Sequence, residues 1–361
     1  MKTKILKALA ITLLLPALLT ACKGSEITPT PLPEVSSAPE PAQIINPMTG
    51  LPGFSKSAVD KRPYTVMVSN IKQSLPQWGI SKADVWYELL AEGGVTRIMA
   101  VFADGDKIPR IGPVRSIRDY YVDINDGINA ILVHFGGSPK GYQRVREYGV
   151  DDIDGKIFET RYNQDMDRTR TLGREHSFSI DAKTIKELVK EKGFDTKSKK
   201  YSLFNFAEEG EKYQKSTSNL KIASTKSVTI PYMFGFCTSY FDYNKKTKKY
   251  DKSQAFISMG VPKQKHIDAT DNKQISAKNV FILRAKCTPI VGDTSSRISV
   301  DLSSGTGWYL CEGKRISITW EKGDHKNSFK YFTMDGKELK VQAGTSYVSI
   351  CDVNDKVSFE K

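Results

Sequence analysis

Three arginines, Arg110, Arg115 and Arg118, fall within nine residues around Gly112-Pro113, and Arg97 lies on a strand-like run just before them. Guanidinium forks match carboxylate and phosphate oxygens two at a time, so such a cluster ahead of a helix N-terminus would hold an anion. The competing reading is internal, because Glu88, Glu92, Asp119 and Asp123 are close enough in the chain to neutralise every one of these charges. After AILVHF, the glycine-rich stretch Gly136 to Gly141 has the strand, loop and helix layout in which backbone N–H groups cradle anions. It brings His134 and Ser138 into the same neighbourhood. It lacks the spacing of a P-loop and of a G-x-S-x-G nucleophile turn, which argues against nucleotide hydrolysis and leaves Ser138 weak as a nucleophile. A single histidine in such a place is more often a packing residue.

Secondary candidates lie further on. Arg168, Arg170, Arg174 and His176, in RTRTLGREHS, read as a polar loop suited to the rim of an anion pocket. His266 and Asp268 form an H-x-D unit; on an extended chain they share one face, where the carboxylate could orient the imidazole. Turn stabilisation is the other use for that pair. H-E-x-x-H, C-x-x-C and the S-x-x-K with K-T-G set are missing, which disfavours zinc proteases, zinc ribbons and serine transpeptidases. No cofactor or metal is expected.

The elements that must position these residues alternate in the first half. DVWYELL and VTRIMAVF, separated by Glu92-Gly93-Gly94, predict two strands and a tight turn. Ser116 to Ile124 has helical spacing, Ala130 to Phe135 reads as a buried strand, and a helix begins near Tyr142. Asp181 as cap and Gly193 as stop bound a helix over 181–192. From about residue 200 short β runs separated by turn signals take over, at 227–230, 237–243, 255–259, 279–283, 297–302, 307–311, 315–320, 329–332 and 346–351. The expected fold is α+β: an N-terminal mixed α/β sheet domain over 46–200, then a mainly antiparallel β C-terminal domain over 201–361.

The start of the chain carries an address. Lys2, Lys4 and Lys7, an apolar run from Ala8 to Leu19, then Leu19-Thr20-Ala21-Cys22 have the layout of a secretory signal ending in a lipobox. Cleavage after residue 21 would leave Cys22 acylated and the protein held by membrane lipid on the extracytoplasmic face. Residues 22–45, with Pro29, Pro31, Pro33, Pro39 and Pro41, read as an extended tether. The formal charge of +13 drops to roughly +10 without the three signal lysines. Outside a cell that basic surface favours anionic wall polymers or anionic lipid, or simply solubility, and nucleic acid is not expected. Cys237, Cys287, Cys311 and Cys351 could form two disulfides, or serve as buried free thiols.

Longer runs carry a resemblance. NPMTGL, the stretch from Ser69 to Phe102, IGPVRSIRDYYVDI and VHFGGSPKG resemble the YerB-like lipoproteins, as do HIDATDNKQISAKNVFIL, GTGWYLCEGKRISITWEK, TMDGKEL and GTSYVSI in the second half. The resemblance covers nearly everything from Asn46 onward. It implies a membrane-anchored protein of two domains and brings no catalytic residues. The favoured expectation is therefore a binding or scaffolding protein of the cell envelope that holds an anion through Arg97, Arg110, Arg115 and Arg118, with His134 and Ser138 in the same ligand-binding set. The alternatives are a hydrolase or transferase acting on envelope polymers, with His134 or His176 as acid–base, and a structural partner of another envelope protein.

Overall fold

Strand β1 (Tyr64–Asn70), β2 (Val85–Leu90) and β3 (Thr96–Phe102) are buried along their whole length, so each needs cover on both faces. β2 and β3 form the expected hairpin, and Gly93 and Gly94 supply the positive φ values, 58° and 81°, of its turn. The computed structural model describes residues 43–198, 202–208 and 221–361; the signal segment, Cys22 and most of the tether lie outside them.

Helix α1 (Asp119–Ile128) covers one face, with Tyr121 donating to the carbonyl of Arg97 at 2.7 Å. It starts three residues later than its periodicity predicts, because Ile117 is held in extended pairing with Gly137. β4 (Ile131–His134) and β5 (Asp152–Asp154) extend the sheet in parallel beyond β1, joined by α2 (Pro139–Tyr148). The stretch read as a polar loop contains a short helix, α3 (Met166–Leu172). Asp165 caps it by accepting from Arg168 N at 2.9 Å, and Gly173 ends it. Helix α4 (Ala182–Lys192) has the predicted ends: Asp181 accepts from Thr184 N at 2.9 Å, and Gly193 is left-handed.

The second half supplies β6 (Ser227–Tyr232), β7 (Cys237–Asn244), β8 (Lys249–Phe256), β9 (Val261–Lys265), β10 (Asn279–Ala285), β11 (Ser304–Cys311), β12 (Lys314–Glu321), β13 (Lys330–Thr333), β14 (Ser346–Asp352) and β15 (Ser358–Glu360). Nearly all follow the predicted runs. The exceptions are β9 and β15, which no predicted run covers, and 255–259, where β8 ends at Phe256 and a 3-10 turn takes Ile257–Met259. The inward residues of β8 include Lys252 and Gln254, so no apolar alternation advertised it.

The main sheet runs β13-β12-β11-β10-β14-β2-β3-β1-β4-β5 and passes without a break from one half of the sequence to the other. β14 lies between β10 and β2 and is parallel to both. The antiparallel sheet β9-β8-β7-β6-β15 stacks on it, with Phe241 against Tyr347 at 5.0 Å between ring centroids. Alternation along each strand then sorts the polar residues by face. Ser69 and Arg97 point to the helical side, while Asn70, Glu88 and Thr96 point toward the second sheet. The four described cysteines are free, and burial pushes the thiols of Cys237, Cys287 and Cys311 up to about 12.

Candidate anion-binding site

The carboxyl ends of β1, β2 and β4 open toward the segment from Ile111 to Arg118, which runs beside residues 178–180. Gly112 permits that close passage, since a Cβ there would sit 2.6 Å from the carbonyl of Phe178. The local path of this segment splits the arginine cluster into three environments.

Arg97 and Arg118 converge on one carboxylate. Glu92, from the β2–β3 turn, pairs with both, and Arg118 Nε donates to its Oε2 at 2.9 Å. Burial alone would raise the Glu92 pKa, but the two guanidinium groups hold it below its ordinary value. This is the internal neutralisation that the sequence offered as the competing reading.

Arg110 is elsewhere. It lies 4.3 Å from the Trp78 ring centroid, with Arg168 at 3.7 Å from the same ring. Its Nε donates to Ser179 at 2.9 Å, and Asp165 is 3.9 Å away.

Arg115 has no such partner. Among the described residues no carboxylate lies within 4.0 Å of its guanidinium, whose one hydrogen bond is a long 3.4 Å contact to the carbonyl of Glu175. Its Nε is buried and unpartnered. Burial draws its pKa below the usual arginine value, while Glu175 and Glu92 act in the other direction from further off. An arginine left this way is a half-made anion site.

His176 stands beside it. The imidazole is buried, its Nδ1 is 3.0 Å from Ser74 Oγ, and its Nε2 is 3.6 Å from Glu175. Burial, Arg115 and Arg168 together lower its pKa, against Glu175. Ser74 is itself fully buried and bonds Ser69 Oγ at 2.7 Å.

The other sequence candidates are placed as follows. Both ring nitrogens of His134 are occupied, Nδ1 by the carbonyl of Gly136 and Nε2 by Asp152, each at 2.9 Å. Ser138 caps α2 by accepting from Gly141 N at 3.0 Å. Arg170 pairs with Asp167, and Arg174 with Glu159, both near the surface. His266 and Asp268 do not act as a pair, because Lys252 and Gln77 occupy both ring nitrogens of His266 while the carboxylate of Asp268 is taken by backbone donors. Asp268 accepts from the backbone N–H groups of Gly79 and Ser81, at 2.9 and 2.7 Å, and so fixes a turn.

Sequence reasoning missed a second polar cluster, between the two sheets. Glu88 is fully buried and accepts from Asn70, Thr96, Ser239 and Tyr347 at 2.8–3.0 Å. Lys252, equally buried, lies 3.6 Å from Glu88 and donates to Gln254 Oε1 and His266 Nδ1, both at 3.1 Å. His266 Nε2 meets Gln77 Oε1 at 2.8 Å, and burial together with Lys252 holds this histidine well below its usual pKa. Only a lysine and a glutamine at inward positions of a strand could have signalled it.

A mixed sheet with helices on one face and a mainly antiparallel sheet on the other defines an α+β protein. Its residues 48–195 match the N-terminal domain, and 228–348 the C-terminal domain, of the protein of unknown function DUF3048. The chain belongs to the YerB-like family built from these two domains. It is 30% identical over 323 residues to YerB of Bacillus subtilis (strain 168), which is named as a lipoprotein; the match spans 87% of this chain and 88% of that one. The crystal structure of YerB from Bacillus subtilis superposes with a TM-score of 0.71 at 26% identity, covering 88% of this chain and all of the other.

Proposed function

We propose that this chain is a lipoprotein anchored through Cys22 on the extracytoplasmic face of the membrane, where its N-terminal half binds an anionic polymer of the cell envelope. The signal layout and lipobox support the anchoring, as does the naming of YerB as a lipoprotein. No described helix is long and apolar enough to cross a membrane. The single observation that carries the binding is Arg115, a guanidinium with a buried, unpartnered Nε and no carboxylate beside it. A half-buried fork of this kind suits a phosphate or carboxylate substituent that can enter beside His176, more than it suits a flat lipid surface.

The test is binding of the full chain to purified anionic wall polymer, and to vesicles containing anionic lipid, across a salt series. Saturable polymer binding that weakens with salt and drops at least tenfold in Arg115→Ala is the expected result. Equal binding by parent and variant overturns the reading, and binding to vesicles alone moves the ligand to lipid.

Ser74, His176 and Glu175 suggest a second reading, a hydrolase. It is weaker because the Ser74 hydroxyl is fully buried and already bonded to Ser69. Turnover of wall polymer that disappears in Ser74→Ala would favour it.

A further inference from the structure

The buried lysine between the sheets dictates the orientation of its neighbours. An ammonium group can only donate, so Gln254 must turn its carbonyl oxygen toward Lys252. The amide nitrogen of Gln254 is thereby sent the other way, and it has no hydrogen-bond partner although the residue is fully buried. His266 is fixed by the same logic: Nδ1 accepts from Lys252, and Nε2 donates to Gln77. Gln254 and His266 both line a pocket of about 370 Å³ between the 72–76 turn and β9. Lys252 does not line it, so the unpartnered end of the amide lies on the pocket side, just beneath its wall. A buried donor without a protein acceptor, beside an open pocket, suits a ligand that brings an acceptor atom.

The rest of the lining defines that ligand. Leu75, Pro76, Val261 and Ile267 give an apolar wall, and Lys72 and Lys265 bring two exposed ammonium groups to the pocket. Neither lysine has a carboxylate within 4.0 Å among the described residues; Lys72 donates to the carbonyl of Met259 at 3.0 Å. We infer that this pocket is a second binding site, separate from Arg115, for a small carboxylate with an apolar body. The carboxylate accepts from Gln254 Nε2 and lies near the lysines, and the body packs on Leu75, Pro76, Val261 and Ile267.

The experiment titrates the full chain with 4-fluorobenzoate, observed by fluorine NMR, alongside 4-fluorobenzyl alcohol as its neutral counterpart. The acid is expected to bind saturably, at least tenfold more tightly than the alcohol. Gln254→Glu, which keeps an oxygen for Lys252 but removes the donor, and Lys265→Ala, an exposed change that leaves the interior intact, should each weaken it at least fivefold. Arg115→Ala should leave it unchanged, which separates this site from the proposed polymer site. No saturable binding at millimolar ligand, equal binding of acid and alcohol, or unchanged affinity in both pocket variants overturns the inference. Tighter binding of 4-fluorophenyl phosphate overturns the choice of carboxylate.

Discussion

Replacing Lys252 by methionine should cost the fold about 3–5 kcal/mol, the range for breaking a buried ion pair from one side. Glu88 would keep four donors, from Asn70, Thr96, Ser239 and Tyr347, but lose its counter-ion. Gln254 Oε1 and His266 Nδ1 would lose their shared donor, at about 1 kcal/mol each within that total. For a body of this size the sum corresponds to a fall in Tm of roughly 6–10 °C. Glu88→Gln combined with Lys252→Met removes both charges, so the double variant should be about 2 kcal/mol more stable than the two single losses added together. Urea unfolding followed by circular dichroism of parent, single and double variants measures each corner of the cycle. Burial pulls the Lys252 pKa down and Glu88 pulls it up, so the cycle also reports whether the pair is charged. A Lys252→Met protein within about 1 kcal/mol of the parent, or strictly additive losses, would refute the account of a charged pair.

Two further outcomes follow from other titrating groups. Arg115→Ala should raise the pKa of His176, since burial, Arg115 and Arg168 depress it. Proton NMR of the imidazole reads this, and an unmoved titration would mean that Arg115 does not face it. Because the folded pKa is depressed, the stability tied to His176 is present above its ordinary value of 6.5 and is lost as pH falls through the folded value. Lys322 is buried, with its ammonium donating to the carbonyls of Asp324 and His325, and burial lowers its pKa to about 8 against Asp123, Asp126 and Asp324. Between about 8 and the usual 10.5 the unfolded chain holds a proton that the fold has released, so stability rises with pH across that window. Relative to Lys322→Met, the parent should gain about 2–3 kcal/mol between pH 8 and 10; parallel curves for the two proteins would refute the assignment.

Local signals were readable wherever a single segment contains its own reasons. The β2–β3 hairpin announces itself through two apolar runs and Gly93-Gly94, and α4 through Asp181 and Gly193. α3 had its own cap and stop, Asp165 and Gly173, which the many charges around them obscured. The position of β14 was not readable, because its partners on β2 and β10 are chosen by tertiary packing and no local turn specifies them. The arginine cluster shows the same division. Chain proximity drew Arg110, Arg115 and Arg118 together as one candidate, but an extended backbone sends neighbouring side chains to different surroundings. Glu92 claims two of the four arginines, the ring of Trp78 takes a third, and Arg115 alone keeps an open guanidinium. Trp78 and Arg168, which flank that result, come from segments that periodicity has no means of joining.

The central placement of β14 has a consequence for how the molecule is made. Leu89 pairs with Ile350, on the order of 260 residues away, so the contact order of the finished sheet is high and its closure slow. Until residues 346–350 reach it, β2 presents a bare backbone edge. In the interval, that edge and the apolar face beside it can pair with other chains, which is when a chaperone would matter most. Deleting residues 346–361 would therefore open the sheet at its middle and leave an aggregating product, whereas loss of an edge strand such as β13 would trim its margin.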